Sequence, residues 1–241
     1  MLGDTLSGDS VDGYLAAVDW LRSILGGAEV AAVWDEPSVV AHYSVGGVAA
    51  HAVHGVRWLE QLLKDAEPVG LRAVTMGELF GPNRAAAGGD GRNGDPGDNE
   101  AVGDGGRGAD DALSVSLRAA AEDFARTGAD VVTAACTASR DALVGLLESA
   151  PATRAIPVLR LSGGQVPLRD YLRTRVLELV VHGDDVVCSV PGLTVPDPPH
   201  SAVEVCLGVC LELAVARVGG LATLRGFTRA ERSQPGVLRV L

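Results

Sequence analysis

The sequence predicts a mainly α fold, a four-helix bundle followed by a short C-terminal α or α/β appendage. Three observations lead there. Apolar residues recur at three- and four-residue intervals over several long segments, the period of a helix with one buried face. Capping and stop residues bracket those segments. Hydrophobic residues make up 47% of the 241 residues, enough for a core at this length. The expected organisation is a bundle over residues 1–190, carrying a Gly/Asp-rich insertion at 81–110, and an appendage over 191–241.

The first helix runs from Val11 to Leu25, with apolar residues at Val11, Tyr14, Leu15, Val18, Leu21 and Leu25. Ser10 stands where an N-cap belongs, and Gly26-Gly27 ends the run. A turn-rich stretch containing Pro37 follows. Ser44 precedes the second helix, whose apolar face is Val45, Val48, Ala49, Ala52, Val56, Leu59 and Leu63, ending near Lys64-Asp65 before Pro68. Between 81 and 110 the character changes: ten of the 31 glycines fall there, with Asp, Asn and Pro and few apolar residues. Such a composition cannot bury enough surface to order itself, so this insertion is expected to be disordered. A phosphate-binding loop is unsupported, because no strand precedes it and no GK[ST] appears.

Helix resumes over 111–150, with a break at Gly128, and is lined by Leu113, Leu117, Phe124, Val132, Leu143 and Leu147. An extended segment, Ile156 to Leu161, leads into Gly163-Gly164. The next helix spans Pro167 to Val187, with proline tolerated in its first turn. After the Pro196-Asp197-Pro198-Pro199 turn, Ser201 caps a helix to about Val218, and the tail holds β-capable pieces such as Val237 to Leu241. Trp20, Trp34 and Trp58 are expected to pack the bundle.

The formal charge is −11. That argues against nucleic acid or an anionic membrane surface as partner, since both require a basic face. Met1 to Ser10 has no basic start and no apolar run, so no signal peptide is read there. The apolar stretch Ala202 to Ala216 is interrupted by Glu204 and Glu212 and is too short to span a bilayer. Cys136, Cys188, Cys206 and Cys210 form no CxxC pair and read as buried free thiols of a cytoplasmic protein.

The chemistry concentrates in Arg175-Val176-Leu177-Glu178-Leu179-Val180-Val181-His182-Gly183-Asp184-Asp185. Glu178 and His182 are four apart and share a helix face. Their neighbours are apolar nearly all round, as in a buried helix, where a carboxylate is costly without a partner. Three partners are available: the imidazolium of His182, an arginine such as Arg173 or Arg175, or a metal ion held by both side chains. On the second helix His51 sits in Val48-Ala49-Ala50-His51-Ala52-Val53. A lone histidine there is usually a satisfied core residue. Set against a Glu/His pair on another bundle helix, it could complete a site of two imidazoles and one carboxylate with open coordination positions, the arrangement of a reactive zinc site.

Tyr43-Ser44-Val45-Gly46-Gly47-Val48-Ala49-Ala50-His51 resembles the N-terminal histidine motif of the DinB-like, mycothiol-dependent maleylpyruvate isomerase metal-binding domains. The Arg175 to Asp185 stretch resembles that family's second motif, E-x-x-x-H followed by an acidic residue. The likeness covers residues 8 to 190, with the Gly-rich insertion as an extra. It implies a DinB-like four-helix bundle with a divalent metal, commonly zinc, bound by His51, Glu178 and His182. It further implies a low-molecular-weight thiol, mycothiol, activated at the metal as cosubstrate, and a small electrophilic or acidic substrate. The expected activity is isomerisation, by addition of the thiol to a conjugated double bond, or thiol transfer. Two departures stand out: Tyr43 replaces the usual tryptophan, and only about fifty residues follow Pro191, where the isomerase has a sizeable substrate-binding domain.

The alternative is a metal-binding bundle without turnover, an interaction or regulatory module. A third reading is a metal-free helical protein in which Glu178 pairs with arginine. An enzyme should leave the ion reachable from solvent, whereas a module could occlude it. Asp184 and Asp185 either support a ligand histidine or form a solvated helix end. His42 and His54 either line the pocket or stand by. Cys206 and Cys210 read as core. Arg225 and Arg229 are candidate substrate contacts only as basic residues of the tail. No G-x-S-x-G elbow or Ser-His-Asp order is present.

Overall fold

The computed structural model describes residues 8–80, 112–158, 161, 163–233, 236 and 238. The chain is mainly helical. Its order is α1 (Gly8–Leu25), α2 (Ala28–Ala32), α3 (Val45–Lys64), β1 (Arg72–Ala73), α4 (Met76–Phe80), α5 (Ala112–Ala125), α6 (Ala129–Ser149), β2 (Ala155–Val158), β3 (Gly164–Pro167), α7 (Leu168–Ser189), α8 (His200–Val218) and α9 (Gly220–Thr228). The 81–110 segment and most of Val237 to Leu241 lie outside the described residues.

In the core, α1 packs on α6 and α7, and α3 packs on the same two. Tyr14, Leu21 and Ile24 of α1, Leu59 of α3, Leu143 and Leu147 of α6, and Leu168 and Leu172 of α7 are all almost fully buried. α5 lies against the outer side of α3, and α8 against α1 and α7. A small sheet in the order β1-β3-β2 has β1 parallel and β2 antiparallel to β3.

Local chemistry explains the boundaries. Ser44 caps α3 by accepting from the Gly47 amide at 2.8 Å. Glu122 of α5 adds a second tie: its carboxylate accepts from the Ser44 amide at 2.8 Å and the Ser44 hydroxyl at 2.9 Å, a negative charge at the positive end of α3. Gly128 has φ of 98°, a conformation open to glycine, and it separates α5 from α6 where the sequence predicts a break.

Several expectations change. α1 starts at Gly8 and α8 at His200, so Ser10 and Ser201 lie inside helices rather than at caps. The turn-rich stretch before Ser44 holds the short helix α2, and residues 220–228 form the helix α9, one of the two forms expected of the appendage. Trp20 and Trp34 are buried, donating to the carbonyls of Pro196 at 2.8 Å and Ala125 at 2.9 Å, but Trp58 is 41% exposed. Cys136 and Cys206 are buried, whereas Cys188 is exposed on the last turn of α7. α8 turns Leu207, Leu211 and Val215 outward, which is why its apolar residues show no one-sided pattern. Among the described residues, no helix is long and apolar enough to cross a membrane.

Candidate metal centre

One face of helix α7 carries a half-buried polar stripe. Tyr171, Arg175, Glu178, His182 and Asp185 follow at intervals of four, three, four and three, which keeps them on one face. α3 packs against α7 and brings His51 to this stripe. The rings of His51 and His182 meet edge to face, with centroids 5.1 Å apart and planes at 88°. One nitrogen of each imidazole and one oxygen of Glu178 lie within 4.8 Å of one another. Three side chains separated by up to 131 positions in the chain thus face a common point.

The contacts around that point fix each group. His182 Nε2 lies 3.2 Å from Glu178 Oε2, and its Nδ1 lies 3.0 Å from Asp185 Oδ2. A carboxylate on Nδ1 holds the proton on that nitrogen and turns Nε2 toward the triad, the arrangement that supports metal-ligating histidines. Asp184 is exposed, so of the two aspartates Asp185 is the one aimed at the His182 ring. Glu178 has a second neighbour, Arg175, with Nη2 to Oε1 at 3.8 Å. Arg173 instead reaches Glu212 of α8 at 2.8 Å. Tyr43 touches the other side of His51 edge-on, with centroids 5.9 Å apart. His54 is turned away and stacks on Phe124 at 5.1 Å. His42 lies exposed in the loop before α3, and Arg225 and Arg229 are exposed on and just after α9.

Electrostatics separates the two histidines. Burial lowers the His51 pKa, and the nearby His182 lowers it further, to about 4, so the ring is neutral with a free lone pair. Burial also works against a charged His182, but hydrogen bonds to Asp185 and Glu178 outweigh it and raise the pKa to about 9. Burial alone would raise the Glu178 pKa. The His182 hydrogen bond and the charge of Arg175 overcome that and hold the carboxyl well below its usual range.

The donor set fits a divalent cation of the zinc type. Zinc takes histidine nitrogen and carboxylate oxygen at about 2.0–2.2 Å, and three protein ligands are what reactive sites provide. A neutral His51, an ionised Glu178 and an oriented His182 supply that set, and the side-chain exposures of Glu178 and His182, 33% and 22%, leave it reachable from solvent. Arg175 entered the sequence reading only as a partner for Glu178. The stripe at 171, 175, 178, 182 and 185 places it on the same helix face as the triad's Glu178 and His182, and that spacing was visible in the sequence.

One family model, the mycothiol maleylpyruvate isomerase N-terminal domain, matches residues 14–187. The matched span holds all three triad residues together with Arg175 and Asp185. No curated protein and no solved structure matches the chain.

Proposed function

The chain belongs to the mycothiol maleylpyruvate isomerase N-terminal domain family, and from that premise we propose that it is a metal-dependent, thiol-using enzyme. His51, Glu178 and His182 hold one divalent cation, zinc by donor type. The observation that carries the reading is the convergence of two nitrogens and one oxygen within 4.8 Å, with Asp185 orienting His182. A cation bound there would lower the pKa of a coordinated thiol, mycothiol in this reading, and so supply a thiolate nucleophile for isomerisation or thiol transfer.

The chain's own residues then do the following. Asp185 keeps the His182 proton on Nδ1. Arg175 compensates the negative charge of Glu178 when His182 is neutral. Tyr43 packs its ring edge-on against His51. The partial exposure of Glu178 and His182 favours an enzyme over an occluded, non-catalytic binding module, because both thiol and substrate need access. The mutual packing of α1, α3, α6 and α7 supports reading them as the DinB-like four-helix bundle, with residues 191–241 as its appendage. The proposed setting is the cytoplasm and the proposed partners are a small thiol and a small electrophilic or acidic substrate. The charge of −11 supports small molecules over nucleic acid or a membrane surface.

Elemental analysis of purified wild type beside His182→Ala and Glu178→Ala tests the site. Near-stoichiometric metal in the wild type, lost in both variants, is the expected result. Equal metal in all three overturns the assignment. Turnover of maleylpyruvate with mycothiol, or conjugation of mycothiol to an electrophile, then separates enzyme from module.

A further inference from the structure

The polar stripe of α7 is longer than the triad needs. One turn before Glu178 stands Arg175, and one turn before that Tyr171, whose ring lies under the guanidinium at 5.1 Å from its centroid. Arg175 Nε is committed to the Thr174 hydroxyl at 3.2 Å. Its terminal nitrogens are not so engaged: the nearest carboxylate oxygen, Glu178 Oε1, is 3.8 Å from Nη2, beyond hydrogen-bond length. The side chain is 24% exposed, so it is partly accessible from solvent.

Opposite Arg175 on α3 stands Gly55. A Cβ added there would come to 3.8 Å from Nη1, an ordinary van der Waals contact, so α3 lines this side of the guanidinium. Below it the Tyr14 hydroxyl of α1 is fully buried and has no hydrogen-bond partner. Arg175 and Tyr171 both lie within its electrostatic reach. The cleft therefore offers an oriented planar cation with free donors, resting on an aromatic ring, one helical turn from the triad. The charges agree with an anion there. A divalent cation with Arg175 exceeds Glu178 and Asp185 by one positive charge, which a bound carboxylate would neutralise.

We propose that Arg175 is the carboxylate-binding group of the site, a positioning residue that holds an acidic substrate beside the triad. The proposal rests on the metal-site reading above, and it adds the residue that holds the acid: the substrate carboxylate accepts two parallel hydrogen bonds from the terminal nitrogens of Arg175.

The test uses the full chain and malonate as probe, titrated by calorimetry into zinc-loaded and zinc-free protein. Wild type is compared with Arg175→Gln and Arg175→Lys, with zinc content and thermal unfolding recorded for each. Losing a charged hydrogen-bond partner predicts malonate binding at least about tenfold weaker in Arg175→Gln. Arg175→Lys should recover part of it, keeping the charge without the planar fork. Malonate affinities are compared at equal zinc occupancy, so that metal lost through the neighbouring Glu178 is not read as a lost anion contact. Malonate that binds wild type and Arg175→Gln equally is held by the metal alone and overturns the proposal, as does a wild type that binds no malonate in either state. A wild type that takes up no zinc, yet binds malonate through Arg175, overturns the metal reading and leaves the anion site standing. If Arg175→Gln unfolds, the lysine variant decides: affinity equal to wild type overturns the bidentate contact.

Discussion

His182 Nδ1 and Asp185 Oδ2 lie 3.0 Å apart, three residues from each other on α7. The contact consumes the ring nitrogen that does not face His51 and Glu178, so the orientation of His182 is set within its own helix. Asp185→Asn and Asp185→Ala should therefore keep the fold while weakening zinc binding about 10- to 100-fold, the usual effect of removing a group that orients a ligand histidine. Competition against a chromophoric chelator measures it. Unchanged affinity would mean that packing alone holds the ring.

Metal uptake should release protons. His182, with its pKa near 9, carries a proton at neutral pH in metal-free protein, whereas His51, near 4, carries none. A metal must displace the His182 proton, so apparent affinity should rise about tenfold per pH unit between pH 6 and 8 and level off above 9. About one proton should appear per zinc bound at pH 7, read with a weakly buffered indicator. Zero protons released would mean that His182 is neutral before the metal arrives.

Gly183, next to His182, should accept a side chain only at a cost in stability. A Cβ there would run into the Trp20 ring, with Cη2 at 3.0 Å, and that ring is held by its hydrogen bond to the Pro196 carbonyl at 2.8 Å. Overpacking of this kind costs about 1–3 kcal/mol. Alanine returns about 1 kcal/mol of helix propensity. The expected net result for Gly183→Ala is a Tm lower by a few degrees in calorimetry. A raised Tm would show that the Trp20 ring swings aside at little cost.

Glu122 should act on α3 from a distance of 78 positions, through its two hydrogen bonds to Ser44. Glu122→Ala removes both of them and the favourable charge at the helix start, and should destabilise by about 1–2 kcal/mol in urea unfolding. Because α3 carries His51, zinc affinity should fall with it. Stability equal to wild type would assign the α3 start to the Ser44 cap alone.

The long helices were legible because each carries its own signals. The α3 bounds follow from Ser44, the Val45 to Leu63 periodicity and the stop before Pro68. The α5–α6 break follows from a glycine at positive φ. Short elements were not legible: α2 and α4 are five residues each, too short for a period to repeat, and the two residues of β1 exist only by pairing with β3. Trp58 misled because an aromatic residue beside a core face can equally well lie on the solvent side.

Sequence by itself determined the helical class, the placing of His51 on one helix and of Glu178 and His182 one turn apart on another, because spacing along a helix fixes which side chains share a face. Tertiary packing decided the rest. Only the seating of α3 on α7 brings His51 to the Glu/His pair, and only the seating of α5 on α3 puts His54 on Phe124. Those choices depend on helix rotation and crossing, which are set by the summed fit of many core side chains and by no single local signal.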